Sequence, residues 1–162
     1  MKKIIVIGCP GSGKTTFSVA LHQKTGAPLF HLDAIWHRPD KTNIPREVFD
    51  ERLSEILALD NWLIDGNYRR TLERRLTACD TVFFLDYPLE ICLDGIRARR
   101  GKPRMDMPWI EIEEDAAFIE YVKAFSTEQR PGILALLKQY SDKEIHVFHS
   151  REQAAAFLNE AE

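Results

Sequence analysis

A chain of 162 residues is long enough for one domain with a buried core, and its 44% hydrophobic and 29% charged residues are ordinary for a globular protein. The net charge of −3 argues against a general nucleic-acid binder. Three cysteines without paired spacing favour reduced thiols and a cytoplasmic location over a disulfide scaffold. No apolar run approaches the length of a membrane span, so we expect no membrane partner.

The chain begins with an apolar segment, residues 4–7, followed by the octet GCPGSGKT at residues 8–15. The octet fits the phosphate-binding pattern G-x-x-x-x-G-K-[ST] and lies between a strand pattern and a helix pattern, as that motif requires. Its glycines let backbone N–H groups approach an anion, and Lys14 supplies positive charge toward the β- and γ-phosphates. We therefore predict binding of ATP and Mg²⁺, with Thr15 as a metal ligand. The predicted nucleotide contacts in this loop are Gly8, Cys9, Pro10, Gly11, Ser12, Gly13, Lys14, Thr15 and Thr16.

The rest of the chain alternates between strand and helix patterns. A helix follows the loop and stops at Gly26, and segment 34–44 has loop character. The further predicted strands are 28–32, 62–66, 81–85 and 144–148. The further predicted helices are 45–57, 71–76, 88–100, 112–125, 131–140 and 152–158. Alternating strands and helices predict a single α/β domain in which helices cover both faces of a five-stranded parallel sheet.

Two aspartates end apolar, strand-like runs. Asp65 follows WLI and Asp86 follows FFL, and either could hold Mg²⁺ through water from a strand beside the loop strand. Asp65 is favoured because Gly66 leaves open space after it, whereas Asp86 could instead cap the helix that begins near Pro88. The order of the residues does not decide between them.

Several segments resemble one family of kinases. Residues 64–72, IDGNYRRTL, resemble the adenylate kinase signature D-G-F-P-R-T, and FLDYP at 84–88 resembles the stretch that leads into the lid of that family. The segments HLDAIW, WLIDGNYRRTLERRL and RGKPRMDMPW look closer still to the adenylate-kinase-like group of topology modulation proteins. The resemblance implies a P-loop NTPase fold with strand order 2-3-1-4-5. It also implies a core of residues 1–100 and 128–162, an acceptor-binding segment at about 33–60 and a helical lid at about 101–127.

The resemblance assigns roles to individual residues. Asp65 falls on the family's acid that holds Mg²⁺ through water, and Arg69 on the arginine that contacts the acceptor's phosphate. Arg99 falls on a lid-base arginine that bridges the transferring phosphoryl group. The other lid-base arginine falls on Gly95, so Arg97 is expected to act in its place. By resemblance, the loop after the fifth strand, with Arg151, contacts the nucleotide base.

Other arginines carry separate expectations. A planar, always-charged guanidinium suits the charge that develops on a transferring phosphoryl group. Arg130 could reach the γ-phosphate from the far side of the lid, and Arg100 lies at the mouth of that segment. For Arg74 and Arg75 a solvated basic helix face is the better interpretation.

Asp33 follows the second strand pattern, at the edge of the sheet where ligands bind in open α/β folds. It could orient or deprotonate an acceptor hydroxyl, or simply act as a turn or N-cap residue. His31 is expected to pack within the strand, and Trp36 either stacks on an acceptor ring or packs against the helix from Pro45.

Cys9 lies close to a helix N-terminus, which could lower the pKa of its thiol and make the loop sensitive to oxidation. The alternative is a small residue that fits the loop.

The motifs favour an ATP-dependent phosphotransferase that acts on a small molecule, with a nucleoside monophosphate or nucleoside as first choice. The alternative is an ATP-dependent switch that affects DNA topology by binding DNA or a protein partner. A nucleic-acid partner is disfavoured by the net charge, and a plain ATPase lacks an evident residue to position water. We expect a monomer or a homodimer.

Overall fold

The computed structural model describes residues 1–161, so Glu162, the end of the predicted core segment 128–162, lies outside the described residues. A parallel sheet is built from β1 (Lys3–Gly8), β2 (Leu29–His31), β3 (Trp62–Asp65), β4 (Thr81–Leu85) and β5 (Glu144–Phe148). The helices are α1 (Lys14–Thr25), α2 (Leu32–Trp36), α3 (Arg46–Leu57), α4 (Arg69–Ala78), α5 (Leu89–Arg99), α6 (Ala116–Glu128), α7 (Arg130–Gln139) and α8 (Arg151–Glu160).

The strand order is β2-β3-β1-β4-β5, and every pairing is parallel, which confirms the predicted fold. Strand β1 lies in the centre, between β3 and β4. Both aspartates that follow apolar runs, Asp65 and Asp86, are therefore next to the loop strand, so the strand order alone does not choose between them. Their side-chain contacts do.

The core follows from strands that are apolar on both faces. Ile4, Ile5, Val6 and Ile7 of β1 have no exposed surface, and all five residues of β4 are buried. Buried parallel strands read as continuous apolar runs because helices cover both faces of the sheet. A cluster of aromatic rings from α1, β4, β5 and α8 packs beside β4, and its members are Phe17, Phe83, Phe148 and Phe157.

Most helix boundaries in the structure agree with those that the sequence signals predict. Helix α1 ends before Gly26, which has a φ of 70°. Pro45 and Pro88 directly precede α3 and α5, and the Ser150 side chain accepts a hydrogen bond from the Gln153 N–H at the start of α8.

Three boundaries differ from the predictions. The loop predicted at 34–44 contains the short helix α2, so Asp33 lies in the first turn of a helix and not at the end of a strand. Helix α4 begins at Arg69 and is longer than predicted. Helix α6 begins only at Ala116, where the Asp115 side chain accepts from two backbone N–H groups, and Ile112 is 74% exposed in the irregular segment before it.

Within residues 1–161, no helix combines the length and the apolar character needed to cross a bilayer.

Candidate active site

The loop between β1 and α1 has the backbone of an anion-binding turn. Gly11 and Gly13 have φ values of 84° and 92°, and the Ser12 N–H donates to the Cys9 carbonyl at 3.0 Å. Helix α1 starts at Lys14, so its positive end faces the loop. Gly11 has a second reason to lack a side chain, because a Cβ there would lie 2.0 Å from the Cys92 carbonyl oxygen of α5.

A cavity of about 970 Å³ lies over this loop and extends to the ends of β2 and β3 and to segment 98–106. It brings together most of the residues that the sequence singles out, and its lining includes Pro10, Gly11, Gly13, Lys14, Thr15, Thr16, Asp33, Asp65, Arg69, Arg99 and Arg151. Five of the predicted site residues do not line it: Gly8, Cys9, Ser12, Arg97 and Arg130.

Lys14 lies at the floor of the cavity. Its Nζ donates to the carbonyl oxygens of Gly8 at 2.9 Å and Cys9 at 3.3 Å. Burial lowers the pKa of Lys14, while the nearby carboxylates of Asp33 and Asp65 oppose that shift. The ammonium group is therefore held by neutral carbonyls, with no carboxylate of residues 1–161 within ion-pair distance of it, and it is suited to a phosphate.

Asp65 faces the same cavity as Lys14 and Thr15. Only 6% of its side chain is exposed, and its Oδ2 lies 2.8 Å from Nδ1 of His31. The strand register explains this contact, because His31 and Asp65 are paired residues at the ends of β2 and β3. Burial is the largest single influence and disfavours the charged imidazole, but the hydrogen bond to Asp65 and the negative charges of Asp65, Asp106 and Asp33 together raise the pKa of His31. His31 thus lies in its strand, as expected, with a contact that sequence reasoning missed.

Asp86 has a different neighbour and a different location. It accepts two hydrogen bonds from Nε and Nη2 of Arg130, at 2.8 and 2.9 Å, and borders a small separate cavity beside Cys9. It does not cap α5, whose N-cap is Pro88. The structure therefore separates Arg130 and Asp86 from the large cavity and leaves Asp65 in it.

The loop after β3 is held by a buried arginine. Arg75 has no exposed surface, and its guanidinium donates to the carbonyl oxygens of Gly66, Asn67 and Tyr68. The prediction of a solvated Arg75 is wrong, because one face of α4 packs against this loop. Burial lowers its pKa to about 9, so it remains a cation at neutral pH.

Asn67 connects this loop to the phosphate-binding loop. Its Oδ1 accepts from the Gly8 N–H at 3.0 Å, and its Nδ2 donates to the Gly8 carbonyl at 2.7 Å. This asparagine stands where the adenylate kinase signature has phenylalanine. At this departure from the signature, Asn67 makes two hydrogen bonds to Gly8, the first glycine of the loop motif.

Asp33 contributes a second carboxylate to the cavity. Its Oδ1 accepts from the Tyr68 hydroxyl at 2.5 Å and lies 3.8 Å from Nε2 of His37. Burial and the neighbouring Asp33 raise the pKa of Tyr68, so the phenol stays protonated and donates. Trp36 packs edge-on against Phe49 of α3 and does not line the cavity, which agrees with the packing alternative.

The end of α5 carries Arg99 into the cavity. Its Nε is buried and has no hydrogen-bond partner within residues 1–161, although Glu111 Oε2 lies 3.6 Å away. Burial, together with Arg104, lowers the pKa of Arg99. Arg97 points elsewhere and pairs with Asp94 on the exposed side of the helix.

Gly95 stands at the position where the resemblance places the other lid-base arginine. A Cβ at this position would lie 2.0 Å from the Gly11 carbonyl oxygen, so α5 packs directly on the phosphate-binding loop and only glycine fits.

Arg69 and Arg151 line the two flanks of the cavity. The Arg69 guanidinium lies against Gly132 and donates to the Gln129 carbonyl at 3.2 Å. Arg151 donates to the Gly11 carbonyl at 3.4 Å and lies 5.9 Å from the Tyr87 ring centroid.

Cys9 does not have the environment of a reactive thiol. Contact with the Cys92 thiol and burial raise its pKa, so the hypothesis of a lowered pKa is wrong and the alternative of a small residue that fits the loop is favoured. Burial outweighs the effect of the helix N-terminus on the thiol pKa, because only 5% of Cys9 is exposed.

The cavity offers hard oxygen ligands for a divalent cation. Thr15 and Asp65 both line it, and no cluster of three metal-binding side chains exists among the described residues. A hydroxyl and a single carboxylate fit Mg²⁺, which keeps several waters and is otherwise held by substrate phosphates.

Comparison with known proteins adds the family context. No family model matches the chain. Two adenylate kinases are each 24% identical to it, those of Mycobacterium tuberculosis (strain ATCC 25618 / H37Rv) and Mycobacterium bovis (strain ATCC BAA-935 / AF2122/97). Each alignment is 170 positions long and covers 87% of this chain and 87% of the relative.

Solved structures of small-molecule kinases share the fold. Shikimate kinase from Acinetobacter baumannii in complex with shikimate superposes with a TM-score of 0.63 at 18% identity, over 98% of this chain and 92% of the other. A sugar kinase from Janibacter sp. HTCC2649 gives a TM-score of 0.56 at 18% identity, over 99% and 92%. At these identities the solved structures show the fold that this chain shares with them, and the loop motif agrees with that fold. The narrower resemblance to topology modulation proteins stays a prediction.

Proposed function

We propose that this chain is an ATP-dependent phosphotransferase that moves the γ-phosphoryl group of ATP to a small-molecule acceptor. The first acceptors to test are nucleosides, which would react through a hydroxyl, and nucleoside monophosphates, which would react through a phosphate oxygen. One observation carries the proposal: a single cavity contains both a phosphate-binding loop with Lys14 and the carboxylate of Asp33. A phosphotransferase needs both, because the donor phosphates and the acceptor must meet in one water-excluding space.

The donor phosphates would lie on the N–H groups of the loop and the start of α1. Lys14 would exchange the carbonyls of Gly8 and Cys9 for phosphate oxygens. Thr15 and, through water, Asp65 would hold Mg²⁺, which neutralises charge on the β- and γ-phosphates when bound. Arg99 would neutralise the equatorial oxygens of the group in transfer, and its position in the cavity lining favours that role.

The acceptor would bind near Asp33. With a hydroxyl acceptor, the hydroxyl oxygen forms a bond to the γ-phosphorus, the bond from that phosphorus to the β,γ-bridging oxygen breaks, and ADP leaves with the electron pair. The hydroxyl proton goes to Asp33, whose carboxylate is oriented by the Tyr68 hydroxyl. Arg130, which is held by Asp86, and the exposed Arg97 are not needed for this step.

The alternative of a DNA-binding switch gains no support from the basic helix α4. Arg70 makes two hydrogen bonds to Asp50, Arg74 donates to Ser54, and Arg75 is buried. These guanidinium groups are engaged within the protein. A cytoplasmic location remains part of the proposal, and the three free cysteines support it.

The test is a kinase assay with ATP and Mg²⁺ over a panel of nucleosides, nucleotides and hydroxylated metabolites. We expect one acceptor class to stimulate ADP release and Lys14→Ala to lose about 10²-fold or more of that activity. Thermal unfolding should leave Lys14→Ala folded, because Lys14 acts on phosphate. Normal turnover by a folded Lys14→Ala protein would refute the assignment, and slow ATP loss without acceptor stimulation would favour the switch.

A further inference from the structure

The imidazole of His31 is the hydrogen-bond partner of the Asp65 carboxylate within residues 1–161. Nδ1 of His31 lies 2.8 Å from Oδ2 of Asp65, and the two side chains are only 10% and 6% exposed. A carboxylate group accepts hydrogen bonds and has none to donate, so the hydrogen lies on Nδ1 and points at Asp65. Hydrogen bonds to carboxylates are among the stronger ones in proteins, and this one is largely buried.

The sheet fixes the backbone at both ends of this contact. His31 and Asp65 are paired residues of β2 and β3, and Asp65 is also paired with Val6 of β1 on its other side. The sheet leaves free the rotation of the Asp65 carboxylate, because the terminal torsion of an aspartate has a broad energy profile. The hydrogen bond from His31 engages one oxygen, Oδ2, and therefore restricts that rotation.

The two residues have different relations to the large cavity. Asp65 lines it together with Lys14 and Thr15, whereas His31 is not part of its lining. The imidazole therefore holds the carboxylate from outside the cavity. Any effect of this hydrogen bond on a molecule in the cavity has to be transmitted by Asp65.

We propose that His31 is a positioning residue of the metal site, which holds Oδ2 of Asp65 and so leaves Oδ1 for a water bound to the Mg²⁺ that accompanies ATP. This role rests on the proposed function and adds a residue to its metal site. Mg²⁺ keeps several waters in near-ideal octahedral geometry, so a carboxylate that accepts from one of them must be correctly aimed. Residues that orient the groups of a metal site typically contribute about 10–100-fold to metal affinity.

The experiment measures calorimetrically the affinity for a non-hydrolysable ATP analogue, once with Mg²⁺ and once with EDTA. The ratio of the two affinities is the metal gain, and it does not require phosphate transfer. His31→Leu removes the donor and keeps a side chain of similar size. His31→Asn keeps a donor, because the side-chain nitrogen of asparagine is as many bonds from the backbone as Nδ1 of histidine. His31→Gln carries the same amide one methylene further out.

We expect His31→Leu to reduce the metal gain about tenfold, at the low end of that range because Asp65 acts through water, with unchanged affinity in EDTA. His31→Asn should retain most of the gain and His31→Gln should not. His22→Leu is the matched control, since Nδ1 of His22 lies 2.7 Å from the Ala27 carbonyl oxygen and His22 does not line the cavity. It should lower Tm without changing the metal gain.

A double-mutant cycle with Asp65→Asn tests whether His31 acts through Asp65. His31→Leu should reduce the metal gain of the wild type and cause no further reduction in the Asp65→Asn background. An equal reduction in both backgrounds, an unchanged or increased gain in His31→Leu, or an equal loss of affinity with Mg²⁺ and with EDTA would overturn the positioning role. If His31→Leu does not fold, equal gains in His31→Asn and His31→Gln would overturn it.

The outcomes separate this role from the proposed function. Phosphate transfer by a wild type whose metal gain is independent of His31 would overturn the role and leave the phosphotransferase proposal intact. A metal gain that depends on His31, in a protein that transfers phosphate to no acceptor, would support the role and refute the proposed function alone. Absence of any metal gain in the wild type would overturn the role together with the proposed Mg²⁺ site.

Discussion

The contact between Asn67 and Gly8 predicts a specific cost for Asn67→Ala. The substitution leaves the buried Gly8 N–H without its partner, whereas the Gly8 carbonyl keeps the ammonium group of Lys14. One unsatisfied buried donor costs about 1–3 kcal/mol, so we expect a loss of about 2 kcal/mol in the free energy of unfolding. For a chain of this length that loss lowers Tm by about 4–8 °C.

Asn67→Asp separates the two halves of the contact. A carboxylate can still accept from the Gly8 N–H but cannot donate to the Gly8 carbonyl. It also adds negative charge beside the phosphate site, so the KM for ATP should rise more than in Asn67→Ala, while part of the stability returns. The assays are thermal unfolding followed by circular dichroism and ATP titration at saturating Mg²⁺.

The control is Asn61→Ala, at an exposed position before β3, which should change stability by less than about 0.5 kcal/mol. If Asn67→Ala unfolds within about 1 °C of the wild type and binds ATP equally well, Asn67 does not hold the phosphate-binding loop, and the reasoning fails.

Three further predictions concern buried contacts. Arg75→Met should destabilise the protein by roughly 3–5 kcal/mol in urea unfolding, because three loop carbonyls lose their donor, whereas Arg74→Met should have little effect; similar values for both would contradict the role of Arg75. Hydrogen peroxide should inhibit wild type and Cys9→Ala equally, since the raised pKa keeps the Cys9 thiol protonated at neutral pH; selective protection by the substitution would revive the redox hypothesis. Gly95→Ala should weaken ATP binding by displacing the loop from α5, while the matched helix substitution Ala98→Gly should not; unchanged ATP affinity in Gly95→Ala would show that the contact is dispensable.

The elements with strong local signals could be predicted from the sequence. The continuous apolar run at 81–85, the prolines before α3 and α5, and Gly26 after α1 give boundaries that agree with the structure. The loop motif is similarly local, since its glycines and Lys14 are contiguous. Helix α2 has no comparable signal because five residues are too few to show a helical period, and the exposed Ile112 imitates a core position.

The contacts that complete the site depend on register and on packing between distant elements. His31 meets Asp65 only because β2 and β3 pair in that register. In the sequence, Arg75 is one of several arginines in a predicted helix. Its buried position depends on the packing of α4 against the loop after β3.

The close approach of Gly95 to Gly11 also fixes how far the end of α5 lies from the phosphate-binding loop. Helix α5 rests on the phosphate-binding loop at Gly95, and Arg99 follows one turn later, about 6 Å along the axis and on the same side. In the proposed mechanism, the position of Arg99 relative to the γ-phosphate therefore depends on the contact of α5 with the loop, and also on Glu111 of segment 101–127, whose Oε2 lies 3.6 Å from Arg99 Nε. That segment begins at Gly101, where φ is 73° and a Cβ would meet no atom within 4 Å. A single residue inserted between Gly95 and Arg99 would turn the guanidinium by about 100° and should abolish phosphate transfer while leaving nucleotide contacts of the loop in place.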